Sequence, residues 1–166
     1  MAIPKVMGTE IEYGITVKND RDFDPISSCV LLVNSYREES TAKILWDYDQ
    51  ENPLADARGF QVEGEKYTPN QQENIARNKT LANGARYYVD HAHPEYSSPE
   101  VTNPWDAVLW DRAGMVLAAQ AAQAAASLPG GHEIVLYKNN TDGKGASYGT
   151  HENYLMDRRT PFRSVI

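Results

Sequence analysis

One cysteine in 166 residues, Cys29, excludes a disulfide framework within the chain, and a lone thiol is the usage of a reducing compartment. Long apolar runs are missing as well. Nothing approaches the roughly 18 consecutive apolar residues that cross a bilayer, so no membrane partner is expected. The opening stretch MAIPKVMGTEIEYG has no extended apolar core and no small-residue cleavage site, which reads as no signal peptide and a cytoplasmic location. Basic charge is in deficit: 16 Lys and Arg face 23 Asp and Glu, for a net charge of −7. The basic residues are scattered, whereas binding to a phosphate backbone shows as a basic patch, so nucleic acid is not the expected partner. A single nucleotide held through a metal remains compatible with this charge.

Several catalytic patterns are missing too. No Gly-x-Ser-x-Gly occurs, and Cys29 lies in an apolar stretch, so nucleophilic serine or cysteine chemistry has no pattern to support it. His151-Glu152 lacks the second histidine of the metalloprotease motif, and the glycines after Asn139 do not match a Walker loop. His91 and His93, two apart and with no third spaced ligand, read as hydrogen-bonded walls of a site and not as a zinc centre.

What is present reads as one domain of ordinary composition, residues 1–166, with helices and strands mixed. Over 7–17 the alternation predicts a strand with Glu10 and Glu12 on one face and Ile11, Tyr13 and Ile15 on the other. Ser27 or Ser28 is the expected cap of a short helix through Val30, Leu31, Val33 and Tyr36, and 44–48 reads as a strand. From 50 to 79 the chain is polar, broken by Pro53, Gly59, Gly64 and Pro69, and reads as a mobile insertion. Asn83-Gly84 is a turn signal leading into a strand over 85–90. Asn103 as cap, Pro104 in the first turn and Asp106 behind it start a helix that Pro129-Gly130-Gly131 ends. Trp105, Val108, Leu109, Val116 and Ala119 share its apolar face, and the alanine-rich end permits close approach of a neighbour. A last strand is expected over 133–138.

The densest chemistry lies in GARYYVDHAHPEYSSPEVTNP, residues 84–104. A strand over 85–90 turns Arg86, Tyr88 and Asp90 to one face, and Glu95 and Glu100 follow between prolines. If the strand carrying Glu10 and Glu12 joins the same sheet, several carboxylates gather on one side. Like charges so placed raise each other's pKa unless a cation shares them. Oxygen donors favour Mg²⁺ or Mn²⁺, a nucleotide's phosphates can complete the shell, and the Arg86 fork suits a phosphate. The bland alternative is a solvated acidic strand face.

Three stretches carry a resemblance: Met7-Gly8-Thr9-Glu10-Ile11-Glu12-Tyr13-Gly14; the run from Asn83 to Ser97 with Val89-Asp90-His91-Ala92-His93-Pro94-Glu95-Tyr96; and Leu136 to Asn140 continuing into His151-Glu152-Asn153-Tyr154-Leu155. Together they resemble the Dop-type depupylases, and behind them the related PafA-type Pup ligases. The form of the central motif and the insertion beginning Asp56-Ala57-Arg58-Gly59-Phe60 favour the depupylase side. The resemblance implies an α+β, glutamine synthetase-like fold with a curved, mainly antiparallel sheet backed by helices, incomplete in this chain. It implies ATP and Mg²⁺ as cofactors, Asp90 as the catalytic carboxylate, and Glu10, Tyr88, Glu95 and His151 as metal ligands. Arg86, Ser98, Asn153, Trp46 and Tyr48 would contact the nucleotide. The implied reaction is deamidation of the carboxyl-terminal glutamine of Pup and cleavage of Pup–lysine isopeptide bonds. Pup, pupylated proteins and a missing carboxyl-terminal portion of the same enzyme are the implied partners. The alternatives are a ligase that consumes ATP and a non-catalytic piece that needs its complement.

Overall fold

In a computed structural model of the chain, residues 6–37, 71–141, 148–157, 159–161 and 163 are described. Among them, β1 (Met7–Glu12), β2 (Gly14–Val17) and α1 (Pro25–Ser35) come first, followed by α2 (Gln71–Ala76) and β3 (Asn78–Thr80). Then come β4 (Arg86–Asp90), β5 (His93–Ser97), α3 (Pro104–Ala126), β6 (Ile134–Tyr137) and β7 (Thr150–Tyr154). Five strands form one antiparallel sheet in the order β3-β4-β5-β1-β7, and β2 pairs with β6 in a separate ribbon. Helices α1 and α3 cover one face of the sheet. The mainly antiparallel α+β architecture is the expected one.

The core forms where the alternating apolar positions of the sheet meet the helices. Ile11, Tyr96 and Tyr87 oppose one another across β1, β5 and β4, and each is essentially fully buried. Leu32 and Val33 of α1 and Leu117, Ala118, Ala121 and Ala125 of α3 close over them. Burying side chains of this size contributes about 1.5–3 kcal/mol each, so this layer carries the sheet.

Four local expectations change. The strand expected over 7–17 divides at Tyr13, whose N–H donates to Pro94 O at 3.0 Å, and β2 then leaves for its own ribbon. Helix α1 starts earlier than Ser27 or Ser28: Asp24 is its cap, accepting from the N–H of Ile26 at 3.1 Å, with Pro25 in the first turn. Residues 71–79 of the expected insertion hold α2 and most of the strand β3, while 50–70 and the strand expected at 44–48 lie outside the described residues. The fourth change concerns the face of α3. Trp105 is 82% exposed, and Val108, Leu109 and Val116 are exposed too; Gly114, Leu117, Ala118, Ala121 and Ala125 are the residues turned inward. Small residues win that face because they let the helix axis approach the sheet. The cap of α3 is as expected, with Asn103 Oδ1 accepting from the N–H of Asp106 at 3.0 Å.

Strand β5 was not expected at all, since Pro94 argues against a central strand. In a strand the N–H and C=O of one residue point the same way. Pro94 O accepts from the N–H of Tyr13, the residue just past the end of β1, so the proline costs only the return bond of that terminal pair.

Gly114 is the closest contact between helix and sheet: a Cβ there would sit 2.6 Å from Cε1 and 2.8 Å from Cγ of the buried Tyr96. Gly114→Ala should gain helix propensity of about 1 kcal/mol but lose more to overpacking, for a net destabilisation of about 1–2 kcal/mol. A lowered urea midpoint checks this; an unchanged or raised midpoint would mean that Tyr96 gives way freely.

Candidate active site

Residues opposite one another on antiparallel neighbours project from the same face of a sheet, so register turns single residues into rows. Tyr88 opposes Glu95, which opposes Glu12, across β4, β5 and β1. The next row runs Arg86, Ser97, Glu10 and His151, reaching β7. Asp90 and His93 pair at the end of the β4–β5 hairpin. All of these lie on the face opposite the helices.

The first row is the carboxylate centre. Glu12, Asp90 and Glu95 each offer an oxygen, all within 4.8 Å of one another. Glu95 is only 4% exposed, and Tyr88 Oη donates to its Oε1 at 2.5 Å. Burial pushes the Glu95 carboxyl up to about 8, the Tyr88 hydrogen bond pulls the other way, and Asp90, Glu10 and Glu12 raise it further through their charge. Tyr88 itself is raised well above the usual phenol range, first by burial and then by the charge of Glu95. Glu12 is oriented by the N–H of Gly149, which donates to Oε2 at 2.8 Å, and His93 Nδ1 stands 3.8 Å from the same oxygen. Asp90 Oδ2 lies 2.8 Å from His91 Nδ1.

The hairpin that presents Asp90 is strained. His91 and Ala92 both have positive φ, 52° and 117°. A two-residue turn of this hand favours Asn-Gly, and non-glycine residues there cost on the order of 1–3 kcal/mol each. Cys29 Sγ donates to Ala92 O at 3.2 Å and anchors the turn from beneath. Burial pushes that thiol up to about 12, which makes it a structural group and not a nucleophile.

In the second row Glu10 Oε2 accepts from Asn153 Nδ2 at 3.2 Å and lies 3.7 Å from His151 Nδ1, while Ser97 Oγ is 3.5 Å from Glu10 Oε1. Arg86 is buried; its Nε donates to Asn78 Oδ1 at 2.7 Å and its guanidinium lies 3.7 Å above the Tyr88 ring. Beyond this row opens a cavity of about 490 Å³ lined by Gly8, Thr9, Glu10, Ser97, Ser98 and Asn153 among others. Ser98 Oγ accepts from the N–H of Thr9 at 2.9 Å and donates to Pro99 O at 3.1 Å.

The structure therefore gathers Glu10, Arg86, Tyr88, Asp90, Glu95, Ser98, His151 and Asn153 on or beside one sheet face, whereas Trp46 and Tyr48 lie outside the described residues. Glu12 was missing from the expected ligand set. Its signal was present in the alternation of 7–17, which puts it on the face of Glu10. Three crowded oxygens suit a hard divalent cation.

That cluster sets a pH dependence. A carboxyl whose folded pKa is about 8 against an ordinary 4.5 contributes stability that is present below about 4.5 and is lost as pH rises through about 8. Metal-free protein should therefore lose thermal stability from mildly acidic to mildly alkaline pH, and Glu95→Gln should flatten that slope. A slope unchanged in Glu95→Gln would assign the titration to another group.

Comparison with known proteins gives the family. A family model described as Pup-ligase protein matches residues 5–166. A depupylase of Acidothermus cellulolyticus is 54% identical, with 98% of this chain and 33% of the relative covered. A Pup deamidase/depupylase of Mycolicibacterium smegmatis is 50% identical over 98% of this chain and 34% of the relative. A Pup–protein ligase of Micrococcus luteus matches at 43% identity over 53% of this chain and 20% of the relative. The crystal structure of Pup in complex with its ligase PafA matches with a TM-score of 0.65 at 25% identity, over 98% of this chain and 27% of that one. The chain spans about a third of the length of the depupylases it matches. On both family model and sequence identity, this chain belongs to the Pup-ligase family.

Proposed function

We propose that this chain forms the metal- and nucleotide-holding part of an ATP- and Mg²⁺-dependent hydrolase that deamidates glutamine-ended Pup and cleaves Pup–lysine isopeptide bonds. The observation that carries the reading is Asp90, presented on a strained hairpin within oxygen-sharing distance of Glu12 and Glu95. The similarity to depupylases along nearly the whole chain, against about half for the ligase of Micrococcus luteus, supports the hydrolytic side.

An amide is a poor electrophile, and the roles fall to the chain's own residues as follows. His91 holds Asp90 through Nδ1, leaving the other carboxylate oxygen to take a proton from water or to attack the carbonyl itself. In the water route, the hydroxide formed adds to the carbonyl carbon. The tetrahedral oxyanion then collapses, the C–N bond breaks, and Asp90 returns its proton to the departing nitrogen. The products are a carboxylic acid and either ammonia or a lysine amine. Glu12, Glu95 and Glu10 would hold Mg²⁺, with His151 and Tyr88 at its margin. The bound ion would supply Lewis-acid polarisation of the carbonyl and neutralise phosphate charge. Ser98, Asn153 and Arg86 would position ATP, which acts in this reading as a resident cofactor and not as a consumed substrate. The exposed edge of β7 is where a further polypeptide would extend the sheet. A ligase reading is favoured by the PafA structural match, and ADP released in proportion to product would mark it.

Asp90→Asn should lower amide hydrolysis by at least about 100-fold while Mg-ATP binding survives. The measurement is intact-mass spectrometry of glutamine-ended Pup with Mg-ATP, using this chain with and without the carboxyl-terminal polypeptide of the Acidothermus cellulolyticus relative. Loss of nucleotide binding in the variant would make Asp90 a metal ligand in place of a catalytic group.

A further inference from the structure

A second cavity, of about 500 Å³, opens on the opposite side of the carboxylate centre from the Gly8–Ser98 cavity. Its walls include Thr16, Phe23, Ala92, His93, Tyr137 and Tyr148, and among the described residues no Lys or Arg lines it. It shares a wall with the catalytic centre. Ala92 and His93 belong to the Asp90 hairpin, His93 Nδ1 is 3.8 Å from Glu12 Oε2, and the His93 and Tyr148 rings lie 5.1 Å apart. Tyr148 is held in place from two sides: its hydroxyl donates to Asn139, and its ring lies so close over Gly14 that a Cβ there would come within 2.6 Å of it. Gly14 is thus required by the close approach of an aromatic wall.

We propose that this aromatic cavity receives the aliphatic arm of the substrate lysine whose isopeptide bond is cleaved, an inference that rests on the hydrolase reading above. Two chains meet at the scissile carbonyl, and their chemistry separates them. The glutamyl side belongs to the last residue of Pup and carries an α-carboxylate, which calls for a cation; the described walls offer none, and Glu12, whose Oε2 lies 3.8 Å from His93 Nδ1 in the wall, repels an anion. The departing side is a four-carbon chain ending in an amine. Apolar and aromatic walls suit its methylenes, and tyrosine faces beside carboxylates suit the amine as it becomes cationic. In deamidation the departing group is ammonia, which needs no such cavity.

That difference supplies the test. Thr16 is exposed, so Thr16→Phe narrows the cavity without disturbing the core. With the assembled protein and Mg-ATP, cleavage of a Pup–lysine conjugate should fall about 10-fold in kcat/KM, a loss of the size that one misfitted apolar contact produces, with deamidation of glutamine-ended Pup within about twofold of the parent. Tyr137→Ala, which removes a half-exposed wall, should shift the same ratio in the same direction. n-Butylamine should inhibit isopeptide cleavage by the parent and do so more weakly in Thr16→Phe. Parallel loss of both activities, or selective loss of deamidation, would overturn the inference and leave the hydrolase reading standing. A parent protein that binds Mg-ATP and acts on neither substrate would overturn both.

Discussion

The structure turns on the register of three strands. Pairing Tyr88 with Glu95 and Glu95 with Glu12 brings carboxyl groups onto adjacent strands of one sheet face, with Asp90 a short distance along β4. Left to themselves these groups repel, and Glu95, nearly buried, gives up its charge up to about pH 8. A slip of one residue would relieve the repulsion, but it would also turn Ile11, Tyr87 and Tyr96 out of the core. Because the helix-covered face depends on those side chains, the register is imposed from beneath. The carboxylates are crowded because the other side of the same strands has to be buried.

The helices serve that constraint in an uncommon way. Helix α3 presents Gly114 and a run of alanines to the sheet, and the Tyr96 ring occupies the space a side chain on Gly114 would need. Close approach gives a thin, dense layer that holds β5 rigidly, and β5 carries Glu95 and His93 on its other side. Under the Asp90 hairpin, α1 contributes Cys29, bonded to the carbonyl of a residue with φ of 117°. Strain of this kind persists only when the surroundings over-determine it. A site residue at the end of a two-residue turn would otherwise sweep through a wide arc; here both helices pin the strands that meet at the turn.

Much of this was legible in the amino-acid sequence because strand alternation depends on nothing beyond the strand itself. The alternation of 7–17 separates Glu10 and Glu12 from Ile11 and Tyr13, and that of 85–90 separates Tyr88 and Asp90 from Tyr87 and Val89, as the sheet does. The failures lie where tertiary context decides. Pro94 disguised β5, since a proline is tolerated there only because it stands at the last pairing with the β1 side, where a single return bond is missing. Strand β3 has three residues, too few to show a period. On α3 the large apolar residues carry the hydrophobicity and the small ones carry the packing, so Trp105, Val108 and Leu109 suggested a buried face that belongs to Gly114 and Ala118. Ser27 and Ser28 drew the expected cap of α1 because serine is a good cap residue, whereas Pro25, which read as a loop signal, in fact marks the first turn behind Asp24. The nucleotide roles proposed for Ser98 and Asn153 rest on resemblance alone; composition and spacing give no sign of them.

The two cavities flank the array of carboxylates from opposite ends. In the proposed function, a hydrolytic centre that also holds a nucleotide has to keep two ligands apart while letting both reach the same few oxygens. Here the sheet does this by geometry. Gly8, Thr9 and Ser98 open toward one end, where small side chains leave room for a ligand, while Phe23, Tyr137 and Tyr148 close the other end with rings. Between them the row from Tyr88 to Glu12 is only three strands wide, so whatever enters from either end meets Glu95 and Asp90 within a few ångströms. The two ends differ in their lining because β1 breaks at Tyr13: before the break its residues build the charged face, and after it β2 pairs with β6, whose Tyr137 joins the ring-lined end. One kink in one strand thus separates the two approaches to a single set of carboxylates.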